Sequence, residues 1–160
     1  VGDICLDGVH VAPEALYTDA GPPRPRLGCL RDASDTSQTL LAGYKADMTS
    51  AESTPLDPAS NDDAAFLILP DGPWARRVSG VFGNALANAS PDRAHAVLTE
   101  KANGNYLISV RAPLNRKSGA DELCRQFPTG GGRAAAAGVN DLPGDQFGAF
   151  VEAMKAQFAA

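Results

Sequence analysis

Histidine is nearly missing from this chain. Its 160 residues hold two, His10 and His95, far apart in sequence. A histidine-based metal site or a Ser-His-acid triad has little to be built from. Cysteine is scarce as well: Cys5, Cys29 and Cys124 are scattered and odd in number, without the paired spacing of a zinc site or the density of a disulfide framework. That pattern favours a reducing compartment, and we expect a cytoplasmic protein. No apolar run approaches the roughly 18 residues needed to cross a bilayer, so no membrane is expected as a partner. The start at Val1 offers neither an initiator Met nor the basic and apolar regions of a signal peptide. The chain therefore reads as a fragment of a longer cytoplasmic protein.

Charge of one sign is short only locally. The formal net charge is −5, which disfavours a general polyanion binder. Residues 1–63 carry four basic and eleven acidic side chains, whereas residues 64–160 carry ten basic and eight acidic ones. Arg111, Arg116, Lys117, Arg125 and Arg133 fall in one short stretch. Such a cluster is either a solvated face or a local anion site. An anion site inside an acidic protein suits a small phosphorylated ligand better than long duplex DNA, which calls for a broad basic face.

Residues 1–63 are rich in Pro, Asp and Ser. Pro22, Pro23 and Pro25 stiffen one loop, and 54–63 reads as a linker. Between them a short strand is expected from Ile4 to Val11 and a helix over 35–46, with Leu40, Leu41 and Tyr44 on one face. From Ala64 the pattern sharpens. The run Ala65-Phe66-Leu67-Ile68-Leu69 predicts a buried strand. Asp71 or Gly72 then caps a helix that has Pro73 in its first turn. Trp74, Val78, Val81, Phe82, Ala85 and Leu86 draw its apolar stripe, and Ser90-Pro91 ends it. Strands are expected over 95–99 and 105–111, joined by a tight Asn103-Gly104 turn. Ser118 with Asp121 looks like a capping box for a helix that turns Ala120, Leu123, Cys124 and Phe127 inward. A last helix carries Phe147, Phe150, Val151, Met154 and Phe158 on one side. Together these elements imply an α/β fold: a mixed β-sheet with helices packed on it, preceded by a loop-rich N-terminal segment.

The most informative segment is Thr129-Gly130-Gly131-Gly132-Arg133-Ala134-Ala135-Ala136-Ala137-Gly138. As a loop, three bare glycines let backbone N–H groups converge on an anion. If the Ala run opens a helical turn, its free amides add partial positive charge there, and Arg133 supplies a two-pronged donor for phosphate. A plain flexible turn is the competing interpretation. The spacing fits neither the Walker phosphate loop nor the dinucleotide fingerprint.

The stretch Gly130-Gly131-Gly132-Arg133-x-x-Ala136-Ala137-Gly138 is similar to the Gly-Gly-Gly-His-x-x-Ala-Ala-Gly signature of the DHH-associated domain, first subtype. That domain is the C-terminal substrate-binding lobe of DHH phosphoesterases. Ile108-Ser109-Val110-Arg111 looks like the strand-end Ser-Leu-Arg-Ser of the same domain, and the order of elements agrees from Ala64 to Ala160. The resemblance implies that Gly130, Gly131 and Gly132 hold nucleotide phosphate or base edges. Arg111, with Ser109 before it, would contact phosphate or stack on a base, and Gly138 closes the motif. Arg133 stands where most members carry His. A related domain at the C-terminus of alanyl-tRNA synthetases carries Gly-Gly-Gly-Arg with a longer following spacing, so the phosphoesterase branch fits better. By the same resemblance residues 64–160 bind nucleotide or nucleic acid, and residues 1–63 are the tail of a catalytic lobe plus its linker.

Family members hydrolyse phosphate esters in that separate lobe, where Asp and His residues, including an Asp-His-His motif, hold two manganese or magnesium ions. Neither His10 nor His95 lies in such a motif, and no Asp-x-Asp is present. No catalytic residue and no metal is therefore expected in this chain, and manganese or magnesium would belong to the catalytic lobe alone. The expected partners are short single-stranded nucleic acids or (di)nucleotides, and a homodimer is compatible with the sequence. His95, Cys124, Ser79 and Trp74 read as structural residues. Two other functions stay open. One is a small acyltransferase gripping a pyrophosphate with the glycine loop. The other is a structural or oligomerisation domain.

Overall fold

Apolar alternation after residue 63 builds a five-stranded mixed sheet, seen in a computed structural model that describes residues 4–6, 9–11 and 35–159. The chain divides into two units, Val1–Ser50 and Ala51–Ala160. In the first, β1 (Ile4–Leu6) and β2 (Val9–Val11) form an antiparallel pair. The single strand expected from Ile4 to Val11 is thus two short ones. The helix α1 (Asp35–Glu52) runs six residues past the expected end at Ala46. Thr49 and Ser50 are tolerated there because their hydroxyls bond back to the carbonyls of Lys45 and Ala46, at 2.9 and 3.0 Å. Leu41 and Tyr44 lie exposed on this helix. The proline loop at 22–25, Cys29 and the side chains of Cys5 and His10 lie outside the described residues.

The second unit contains β3 (Ala64–Leu69), α2 (Pro73–Ala89), β4 (Ala94–Glu100), β5 (Tyr106–Arg111), α3 (Ala120–Cys124), β6 (Gly130–Arg133), β7 (Ala136–Leu142) and α4 (Phe147–Phe158). The strand order is β3-β4-β5-β7-β6. Only β3 and β4 are parallel, joined through α2, and the other neighbours are antiparallel. The 54–63 stretch is stitched to β3: Asp57 N–H donates to Phe66 O at 2.8 Å, and Phe66 N–H donates to Ser60 Oγ at 2.9 Å.

Strand alternation sends each row of side chains to one of two faces. One face holds Phe66, Ala96, Leu98, Ile108, Val110, Ala137 and Val139, covered by α3 and α4. Phe150 anchors this core, with its ring edge-on to Phe66 at 6.5 Å and tilted against Phe127 at 5.5 Å. The inward set expected for α4 is observed, with Phe150, Val151, Met154 and Phe158 all buried. α2 lies on the opposite face, against β4 and β5.

Two helices differ in detail from expectation. In α2 the buried residues are Ala75, Val78, Phe82, Gly83 and Ala87, while Val81 is 44% exposed. The buried stripe is rotated towards the small residues, which let the helix backbone approach the sheet. Gly72 is the cap, with no side-chain bond. At α3 the cap is Gly119 in a left-handed conformation (φ 99°), and Ser118 makes no capping bond. The helix stops at Cys124, so Phe127 reaches the core from the loop beyond it.

Candidate anion-binding site

The glycine run is a strand, not a loop. Gly130–Arg133 form the edge strand β6, paired antiparallel to β7 with Gly131 opposite Gly138 and Arg133 opposite Ala136. Nor does the alanine run open a helix: Ala134 and Ala135 are the two-residue turn of the β6–β7 hairpin. Their carbonyls accept from the N–H of Ala120, at 3.0 Å, and of Ala112, at 3.1 Å. The loop of converging amides expected from sequence is therefore replaced by a sheet edge. Four glycines and four alanines in ten residues satisfy a hairpin because the strand must fit beneath α3. A Cβ on Gly130 would lie 1.8 Å from the carbonyl oxygen of Cys124. Gly132, at φ +147°, has no room either, since its Cβ would lie 2.5 Å from Ala137 Cα. Gly131 differs, with nothing within 4 Å of the position its Cβ would take.

The register collects most of the sequence-predicted residues on the face opposite the core. Arg111 pairs with Ala136, and Ala136 pairs with Arg133. In the next row Ser109 pairs with Gly138, and Gly138 with Gly131. Two guanidinium-bearing residues thus stand two strands apart, roughly 10 Å between backbones. Alanine and glycine are the sheet surface between them. Gly130 and Gly132 are not part of this surface; they serve the packing beneath it.

Arg111 is half-buried and heavily bonded. Its Nε–H donates to Asn84 Oδ1 at 2.7 Å and its Nη2 donates to Gly80 O at 3.1 Å. Nη1 donates to Ser109 Oγ at 3.0 Å and to Val110 O at 3.1 Å. Burial, and then the neighbouring positive charge of Arg133, press its pKa below the usual guanidinium value. Ser109 therefore orients Arg111. Arg133 is exposed, and among the described residues no carboxylate lies within ion-pair distance of it. Beside Arg111 a cavity of about 270 Å³ is lined by Asn84, Asn88, Leu114 and Ala135 among others.

The rest of the basic cluster is elsewhere engaged or simply solvated. Arg125 pairs with Asp121 at 3.1 Å one helical turn back, and Arg116 and Lys117 are exposed on the turn before α3. His95 is 3% exposed, and its Nδ1 has no hydrogen-bond partner. Burial first, and then the charge of Arg93, lower its pKa to about 4, so it is neutral at pH 7. The Cys124 thiol is fully buried and pushed up to about 12, by burial and then by Asp121. Neither group has the ionisation of a reactive centre at neutral pH. Among the described residues no group of three His, Cys, Asp or Glu side chains is placed to hold a metal ion, and no helix is long and apolar enough to cross a membrane. The partners of Arg111 on α2 were missed from the sequence. Their signal is two glycines inside an otherwise regular helix, Gly80 and Gly83, next to the polar Asn84.

No family model and no curated protein sequence matches the chain. Solved structures do. The C-Ala domain of Aquifex aeolicus alanyl-tRNA synthetase superposes with a TM-score of 0.52 at 14% identity, over 66% of this chain and 99% of that one. A pGpG-specific phosphodiesterase, PggH from Vibrio cholerae, gives 0.53 at 13% identity over 80% of this chain. An exopolyphosphatase-related protein from Bacteroides fragilis gives 0.52 at 16% identity over 81% of this chain. The chain spans 45% and 41% of the length of those two proteins. At these identities the likeness is one of fold.

Proposed function

We propose that the second unit recognises nucleotide phosphate, as the substrate-binding lobe of a DHH-type phosphoesterase whose chemistry belongs to another lobe. One observation carries this reading: the strand register puts Arg111 and Arg133 on a single face, with only Ser109, Ala136, Gly138 and Gly131 between and beside them. A phosphate settling on that surface lies between two arginine-bearing strands. It also approaches the backbone closely over Gly131, where no Cβ intervenes. The similarity of the glycine signature to the DHH-associated domain supports the reading. So does a shared fold with a pGpG-specific phosphodiesterase and an exopolyphosphatase-related protein. Ligands of this site are short single-stranded nucleic acids or dinucleotides. Manganese or magnesium, as cofactor of hydrolysis, would bind in the other lobe, and the residues described here supply binding and orientation alone.

Titration of the 160-residue chain with a 5′-phosphorylated dinucleotide tests this. Arg133→Ala and Arg111→Ala are each expected to weaken binding about tenfold, the scale of one hydrogen-bonded charge. Unchanged affinity in both variants would sink the assignment.

A further inference from the structure

Resting on that reading of the site, the geometry points to Asn84 as the positioning residue of Arg111, through a seat on α2 completed by the carbonyl of Gly80. A guanidinium has five N–H donors. Four are engaged in Arg111, through Asn84 Oδ1, Gly80 O, Ser109 Oγ and Val110 O. One Nη2 N–H is left for a ligand. The two acceptors on β5 hold only Nη1, so they fix one corner of the fork. The two on α2 hold Nε and Nη2 and so set its plane.

Arg111 also packs against this helix. A Cβ on Gly83 would lie 3.5 Å from Arg111 Cγ and 3.9 Å from its Nε and Cζ, and one on Gly80 would lie 3.7 Å from Nη2. The aliphatic stem therefore lies against the helix at Gly83 and the guanidinium against it at Gly80, two positions where alanine would favour the helix by about 1 kcal/mol. Asn84 and Arg111 also line the same cavity of about 270 Å³. A fork ordered before its ligand arrives loses less rotamer freedom on binding. Arg133, exposed, is left to adapt. The two arginines thus divide the work between a seated anchor and a solvent-exposed partner.

The test uses the full chain with 15N-labelled arginine and a 5′-phosphorylated dinucleotide. Arg111→Lys identifies the Arg111 Nε–H resonance by its loss. In the unmodified chain that resonance is expected to be protected from exchange. Asn84→Ala should abolish the protection and raise Kd about tenfold. Asn84→Asp keeps an acceptor oxygen, so protection should survive, while the added negative charge still weakens dinucleotide binding. Gly148→Ala, on α4 with nothing within 4 Å of the position its Cβ would take, should preserve both signals and serves as the folded control. A protected resonance in Asn84→Ala, with Kd within twofold of the unmodified chain, overturns the assignment. If the unmodified chain binds no dinucleotide, the recognition reading fails separately. The seat is then judged on the resonance alone: its loss in Asn84→Ala supports it and its persistence overturns it.

Discussion

Adjacent glycines in β6 answer to different constraints. Gly130 is pinned under the Cys124 carbonyl, with 1.8 Å available where a methyl would go. Gly130→Ala must move backbone, and a loss of roughly 2–4 kcal/mol in urea unfolding is expected. Gly131 has open space, so Gly131→Ala should change stability by less than about 0.5 kcal/mol. If this face receives phosphate, the same methyl should weaken dinucleotide binding, because it stands on the surface the ligand must approach. His95 supplies a second residue-scale expectation. Its pKa falls from 6.5 to about 4 on folding, so as pH drops the unfolded chain takes up the proton first. Stability should hold above pH 6.5, decline between 6.5 and 4, and lose roughly 3 kcal/mol over that window. His95→Leu, followed by urea melts across the same range, should flatten the decline. An equally steep decline in that variant would assign it to other groups.

At the scale of the element, legibility in the sequence depended on what set each boundary. β3, β4, β5 and α4 are written in apolar periodicity, and Asn103-Gly104 marks its hairpin because Gly104 takes φ +79°. α2 was legible as a helix but not in its orientation. Periodicity weighted towards large residues picks out Trp74, Val81 and Leu86, whereas the buried side is chosen by how near the backbone can come, through Ala75, Gly83 and Ala87. Val81→Lys should therefore stay within about 0.5 kcal/mol of the parent, while Ala87→Lys should unfold or severely destabilise the chain. Thermal melts of the two variants decide between the stripes. β6 was illegible as a strand because glycine has low β-propensity. It is held by its pairing to β7 and by tertiary restraint around Thr129. That residue keeps a positive φ of 65°, and its Oγ accepts from Asp141 N–H at 2.9 Å. The candidate site residues could be named from sequence, but their sharing of one face could not, because it follows from the register of β5, β7 and β6.

For the whole molecule, the balance of charge bears on what can bind. The chain carries a net −5, and Arg111 and Arg133 stand on strands separated only by β7, with Ala136 in register between them. A chain with a net negative charge repels a long polyanion as a whole, so affinity should not grow with length as it does on a continuous basic face. A single-stranded ligand releases counterions in proportion to the phosphates neutralised, about 0.7 per contact. Two contacts set a slope of log affinity against log salt no steeper than about −1.4, and Arg133→Ala should halve it to about −0.7. Titrations of one dinucleotide and one longer oligonucleotide between 50 and 200 mM salt, roughly the range over which such slopes are read, would measure both slopes. A slope several times steeper, or one that Arg133→Ala leaves alone, would mean that the anion is held on some other surface of the protein.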